Sequence, residues 1–200
     1  LVVSNMAGAG SNAAAAHIYN VAPKDGTVIG ALQNTVILES LLDTLLGETR
    51  RQRHDATKFV QLGSATIDHY VCIVRADAPV KSFRELLGQE LIIGASQPGT
   101  STRDFPAMLN NMTGSRIRLV SGYPGTREIT LAIEKDEVKG LCGFSWSSLN
   151  AQRPDWLKSG FIRVLVQEHD KGHPDINRMG VPLAVDFAKT PENRRVMELI

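Results

Sequence analysis

The sequence predicts an α/β protein, because two patterns recur along its 200 residues. Short apolar runs of strand length alternate with stretches whose apolar residues recur at helical spacing, and such alternation is typical of a mostly parallel sheet flanked by helices. At two places an apolar run ends in a glycine-containing turn that restarts as a helix: the first loop is residues 8–12 and the second loop is residues 97–102. Ligands of α/β proteins bind at the carboxyl ends of strands, where both loops are expected to lie.

The apolar runs predict strands near residues 1–4, 27–32, 58–63, 68–75, 91–94, 116–121, 138–142 and 161–167. The strands at 58–63 and 68–75 follow each other with no helix between them, which interrupts the alternation. We interpret this interruption as a crossing between two domains, and the strand at 161–167 as the return crossing.

Local signals place the helices. The Ala-rich run 12–21 stops before Pro23, and run 35–46 ends at Gly47, a residue type favoured just after a helix. Ser82 and Glu85 have the spacing of a capping box, which opens a short helix. Further helices are predicted at 103–112, 127–135 and 192–200.

Composition limits the function classes. Lys and Arg number 22 against 21 Asp and Glu, which argues against a general nucleic-acid-binding protein. No apolar stretch approaches the roughly 20 residues that a membrane helix needs, and no signal peptide is evident. The chain opens inside a predicted strand and stops inside a predicted helix, so we expect its natural start to be missing. His169 and His173 have a metal-ligand spacing, but Gly172 and Pro174 place them in a loop, so no metal site is expected.

The two cysteines, Cys72 and Cys142, lie in apolar runs of strand type. We interpret them as buried thiols that act as small apolar residues. A disulfide is the alternative if the protein is exported, but the sequence does not show whether the two residues approach each other.

Both loops are typical of anion binding, because backbone N–H groups and a helix N-terminus point at such turns. Gly8, Gly10 and Ala13 also fit the dinucleotide fingerprint, which needs an acidic residue about twenty positions on. Gln33 and Asn34 stand there instead, so a small anion or a neutral polar group is favoured over a nucleotide. In the second loop the hydroxyls after Gly99 are good helix caps, and together with the N–H groups they suit a carboxylate.

Residues 143–147, GFSWS, approach the nucleophile elbow G-x-S-x-G of hydrolases. Ser147 replaces the second glycine, and no His–Asp pair is placed convincingly after it. We therefore expect Ser145 and Trp146 to line a pocket. A serine hydrolase or a nucleotide-dependent oxidoreductase stays as the alternative function, and an enzyme is not the favoured interpretation.

Several segments carry a family resemblance: VVSNMAGAGSN at 2–12, APKDGT at 22–27, LGS at 62–64, the second loop with the residues before it, GYPGT at 122–126 and WLKSG at 156–160. In this order and spacing they resemble the extracytoplasmic solute receptors of tripartite tricarboxylate transporters, the TctC or Bug proteins. The resemblance runs along nearly the whole chain.

The resemblance implies a type II-like periplasmic binding protein, in which two α/β lobes with mixed sheets are joined by two crossing strands and close over a ligand. The expected lobes are residues 1–73 with 165–200, and residues 74–164; the first lobe would lack its first βα unit. The implied ligand is a small carboxylate, with a membrane permease as partner, no cofactor, no metal and no nucleic acid. The implied protein is periplasmic and monomeric.

The resemblance also implies the site. Thr100, Ser101 and Thr102 would bind the carboxylate, and Gln33 would line the cleft from the other lobe. The full set of expected ligand-binding residues is Gln33, Asn34, Gly99, Thr100, Ser101, Thr102, Tyr123, Gly125, Thr126, Ser145 and Trp146. Residues 143–148 depart from the usual family sequence, which suggests that Trp146 stacks on an apolar or aromatic part of the ligand.

Overall fold

The computed structural model describes residues 1–33, 36–37, 54–64 and 67–198. Its Cα positions group into two compact units, Leu1–Ala65 with Gln97–Thr100, and Thr66–Ser96 with Ser101–Ile200. The expected lobe boundaries remain a prediction. No helix in the described ranges is both long enough and apolar enough to cross a bilayer.

The first unit contains helix α1, Asn12–Asn20, which confirms the predicted Ala-rich helix. Short 3-10 helices lie at Ala9–Ser11 and Ala56–Lys58. The predicted strands at 1–4, 27–32 and 58–63 are wrong: these residues form no strand, and side chains such as Val3 and Val60 are exposed. Apolar β-branched residues favour strands, but a strand also needs a neighbour that completes its ladder of hydrogen bonds. Nearly all of the predicted helix 35–46 lies outside the described residues.

The second unit contains strands β1 to β5, at Tyr70–Arg75, Leu91–Ala95, Ile117–Ser121, Gly140–Ser145 and Ile162–Glu168. The five matching predictions are confirmed. β1 lies between β4 and β5 in an antiparallel sheet, and β2 pairs with β3 in parallel. The α/β class is confirmed, but the expectation of a mostly parallel sheet is wrong. The two predicted crossing strands, β1 and β5, are antiparallel neighbours.

Helices α2 to α7 of this unit lie at Ser101–Thr113, Thr126–Glu134, Trp146–Gln152, Pro154–Lys158, Pro174–Arg178 and Pro191–Met197, with 3-10 helices at Glu85–Leu87 and Ala184–Phe187. The helices predicted near 103–112, 127–135 and 192–200 are confirmed, the last of them to Met197. The helices α4, α5 and α6 were not predicted, because each is too short to show helical periodicity.

The sheet of β4, β1 and β5 separates two hydrophobic cores, because alternate side chains along a strand face opposite sides. Val71 and Ile73 belong to one core, while Cys72 and Val74 belong to the other. Cys72 and Cys142 are joined by a disulfide between β1 and β4, and both residues are fully buried. The alternative of a disulfide therefore holds, and the interpretation as separate thiols is wrong.

Candidate functional site

The first loop adopts a backbone that few residues other than glycine accept. Its φ angles are positive at Gly8 (144°), Gly10 (58°) and Ser11 (73°), and α1 begins immediately afterwards. Gln33 lies beside this loop, because its backbone N–H donates to the Ser11 hydroxyl over 3.3 Å. Asn34, its predicted partner, lies outside the described residues. The loop thus places a glycine turn, a helix N-terminus and Gln33 together.

The two loops that the sequence singled out pack against each other. A Cβ at Gly10 would overlap the carbonyl oxygen of Gly99 and would lie 3.4 Å from the Thr100 methyl group. Gly99 also has a positive φ, of 86°. The Thr100 hydroxyl donates to the carbonyl oxygen of Gln97 over 2.6 Å, which holds this loop closed on itself. The contact between the loops therefore requires a glycine at position 10, and the left-handed backbone favours one at position 99.

The second loop ends at helix α2, which begins at Ser101. The Thr102 side chain is buried, and its hydroxyl accepts a hydrogen bond from the Ser96 N–H over 3.2 Å and contacts the Ser96 hydroxyl. The Thr102 hydroxyl therefore fixes the end of β2. The N-terminus of α2 therefore directly follows the glycine turn, and a helix N-terminus favours an anion.

Three more predicted residues lie near the end of β2. β2 and β3 pair in parallel with Ala95 opposite Ser121, so the segments after both strands leave from one edge of the sheet. Tyr123 donates its N–H to the carbonyl oxygen of Ala95 over 3.3 Å. Gly125 is the N-cap of α3, and Thr126 is its first residue. Burial, followed by the charge of Glu137, raises the pKa of Tyr123, which is therefore a neutral phenol.

Ser145 is a helix cap. Its hydroxyl donates to the Asp68 carboxylate and accepts from the Ser148 N–H over 3.1 Å, and the Ser147 hydroxyl donates to the same carboxylate over 3.1 Å. Within the described ranges no imidazole hydrogen-bonds to Ser145. In the hydrolase elbow an adjacent base activates the nucleophilic serine for attack, whereas the Ser145 hydroxyl caps α4 and is hydrogen-bonded to Asp68.

Trp146 belongs to the core beside α4. Only 8% of the residue is exposed, and its backbone N–H donates to the His69 carbonyl oxygen over 2.7 Å. Its ring lies 6.0 Å from that of His173. Since so little of the residue is exposed, little of the indole is accessible for stacking on a ligand.

Three imidazoles meet where β1 begins and β5 ends. The His69 ring stacks on His169 at 4.1 Å between centroids and meets His173 edge-on at 5.2 Å. Burial lowers the pKa of His69, and the two neighbouring histidines lower it further. No group of three His, Cys, Asp or Glu side chains in the described part of the chain is placed to hold a metal ion.

Glu168 is the functional-site candidate that sequence reasoning missed. The residue is 3% exposed at the end of β5, and its Oε2 accepts from the Gly143 N–H over 2.8 Å. Burial raises its pKa to about 8, and the hydrogen bond from the Gly143 N–H acts in the opposite direction. Glu168 is therefore protonated at neutral pH. No pattern in the sequence marks it, since it ends an ordinary apolar strand.

Replacing Gly143 by alanine is expected to lower the free energy of unfolding by about 3 kcal/mol, because alanine is strained at a left-handed φ and its Cβ would clash with neighbouring backbone atoms. Its φ is 66°, and a Cβ would overlap the carbonyl oxygen of Ser101 and lie 3.0 Å from the Thr102 nitrogen. Gly160 is the matched control, because its φ is 69° but nothing lies within 4 Å of its Cβ position. Urea unfolding should give Gly160→Ala a loss of only about 1 kcal/mol. Equal losses would show that Gly143 carries no packing constraint.

No protein family profile matches the chain, and no curated protein sequence does. Among solved structures, a TctC solute binding protein from Polaromonas, solved without ligand, aligns at a TM-score of 0.55 and 14% identity over 80% of this chain. The chain spans 59% of that protein's length.

Two structures from Rhodopseudomonas palustris also align. One is MatC with bound malate, at a TM-score of 0.48 and 17% identity, covering 60% of this chain and 40% of that one. The other was solved with adipate, at a TM-score of 0.49 and 20% identity, covering 65% of this chain and 48% of that one. The Polaromonas alignment shows that the chain has the fold of a TctC solute-binding protein.

Proposed function

We propose that this chain, with its TctC-type fold, belongs to an extracytoplasmic receptor that captures a small carboxylate and delivers it to the membrane permease of a tripartite tricarboxylate transporter. The observation that carries the proposal is the packing of Gly10 on Gly99, which joins the two glycine loops. The proposed receptor binds and releases its ligand without a reaction.

The chemistry of the loops supports an anionic ligand. Positive φ angles at Gly10, Ser11 and Gly99 give both turns a backbone of the kind whose N–H groups hold anions, and each loop is followed in sequence by a helix N-terminus. A carboxylate accepts several hydrogen bonds at once and satisfies such donors better than a neutral group does. The proposed contacts are Gln33, Asn34, Gly99, Thr100, Ser101, Thr102, Tyr123, Gly125, Thr126, Ser145 and Trp146.

The disulfide supports an extracytoplasmic location. Disulfides persist in oxidising compartments such as the bacterial periplasm and are rare in the cytosol. Cys72 and Cys142 are bonded and buried in the core of the second unit. We propose that the receptor works in the periplasm as a monomer.

The Gly10→Ala variant is expected to weaken carboxylate binding at least tenfold, because the added Cβ would push the two loops apart. Gly26→Ala is the matched control: Gly26 lies in the same unit and has a φ of 83°, but nothing lies within 4 Å of its Cβ position. Isothermal titration should show full affinity for Gly26→Ala. If both variants lose affinity equally, backbone strain and not the loop contact is responsible.

A thermal-shift screen tests the proposal, with the protein expressed from its complete reading frame. The compounds are di- and tricarboxylates including malate and adipate, acidic amino acids, aromatic acids and nucleotides. A ligand at about one hundred times its dissociation constant stabilises by roughly 2.7 kcal/mol, which is a shift of several degrees. A selective shift with one carboxylate class supports the receptor. A shift with nucleotides alone would contradict it and favour an oxidoreductase.

A further inference from the structure

A cleft of about 450 Å³ lies in the second unit, and none of its lining residues belongs to the two glycine loops. One wall is the segment around Phe83 and Arg84, and the other is formed by Val164, Met179 and Val181. Met179 is 50% exposed although it is apolar. A volume of this size falls within the range of small-molecule sites.

Two cationic side chains line this cleft. Lys81 and Arg84 are both exposed, and in the ranges that the structure describes neither side chain forms an ion pair. The Arg84 guanidinium lies 5.9 Å from the centroid of the Phe187 ring, which packs 4.8 Å from the Phe83 ring. The Arg84 guanidinium and the Phe187 ring therefore form a cation–π contact.

The wall with the cations is fixed in place before any ligand binds. The Ser82 hydroxyl accepts from the Glu85 N–H over 3.4 Å, and the Glu85 carboxylate accepts from the Lys81 N–H over 2.8 Å. The segment is thus tied at both ends by its capping box. Because Glu85 is bonded to the main chain, its charge is not paired with either cationic side chain.

We propose that this cleft is a second binding site, for an aliphatic carboxylate of medium chain length. The head group would pair with Lys81 and Arg84, and the tail would cover the apolar surface at Met179 and Val181. A neutral ligand would leave both cations unpaired, and a short carboxylate would leave the apolar wall in water. This second site shares no residue with the proposed receptor site.

Octanoate is the probe, titrated into protein whose methionines carry ¹³C-labelled methyl groups. The Met179 methyl resonance is expected to shift and saturate as octanoate is added, because Met179 lines the cleft. The Lys81→Gln/Arg84→Gln double variant should lower the affinity for octanoate at least tenfold. Acetate should bind to the wild-type protein at least tenfold more weakly than octanoate. Lys158→Gln, an exposed cation on α5, is the control that keeps full affinity.

Two results would overturn the second site: a Met179 shift that never saturates, or full octanoate affinity, measured at Met179, in the double variant. Gly10→Ala separates this site from the proposed receptor site. It should leave the Met179 response unchanged, whether or not the glycine loops bind a carboxylate. Loss of the Met179 response in Gly10→Ala would assign the octanoate effect to the glycine loops and would also overturn the second site.

Discussion

Removing the Cys72–Cys142 disulfide is expected to lower the free energy of unfolding by about 4 kcal/mol, because the bond closes a long loop in the unfolded chain. The two cysteines are 70 residues apart in sequence, and they link the neighbouring strands β1 and β4 inside a core. Urea unfolding with and without dithiothreitol measures the loss. The unfolding midpoint should fall sharply when the reductant is present.

The Cys72→Ala/Cys142→Ala double variant is the control for this experiment. It should unfold at the lower urea concentration and should not respond to dithiothreitol, because it has no disulfide to reduce. If the oxidised and reduced wild-type proteins unfold at the same urea concentration, the two cysteines do not form a stabilising bond.

Raising the pH is expected to destabilise the protein through Glu168. Its pKa is raised from 4.5 to about 8 by burial, so between these pH values the folded state holds a proton that the unfolded state has released. The free energy of unfolding therefore falls as pH rises, by at most about 1.4 kcal/mol per pH unit, and levels off above the folded pKa. Urea unfolding at intervals from pH 5 to pH 9 measures this slope.

Glu168→Gln removes the titrating group while keeping its size, so the variant should lose this slope and exceed the wild type in stability at pH 9. Glu192→Gln, on an exposed carboxylate, should keep the wild-type profile. His69 acts in the opposite direction: burial lowers its pKa, so its contribution to stability increases as pH rises through its titration range. The difference between wild type and Glu168→Gln isolates the carboxyl group, and parallel profiles would contradict its burial.

Local sequence signals were enough to predict the strands of the second unit, its helices α2, α3 and α7, and the two glycine loops. Apolar runs located β1 to β5, and the capping-box spacing of Ser82 and Glu85 located a 3-10 helix. Glycines at residues 10 and 99 indicated turns, and both turns have the positive φ angles that glycine accepts.

The remaining features depend on contacts between residues far apart in sequence. The apolar runs at 1–4 and 27–32 look like strands, but nothing in a single run shows whether a neighbour pairs with it. The disulfide and the buried Glu168 follow from the register of β1 against β4 and β5, where Tyr70 faces both Ser145 and Glu168. Trp146 resembles a pocket residue in sequence, and the structure buries most of it in the core at the start of α4, so its role in binding stays a prediction.

The most direct test of the central claim, that the joined glycine loops bind a carboxylate, is a ¹⁵N NMR titration of the ¹⁵N-labelled protein with the carboxylate that gives the largest thermal shift. The backbone amides of Gly10 and Gly99 should shift and saturate together, while Gly180, a glycine of the second unit far from both loops in sequence, stays unmoved. A carboxylate that saturates the protein without moving either loop amide would contradict the account.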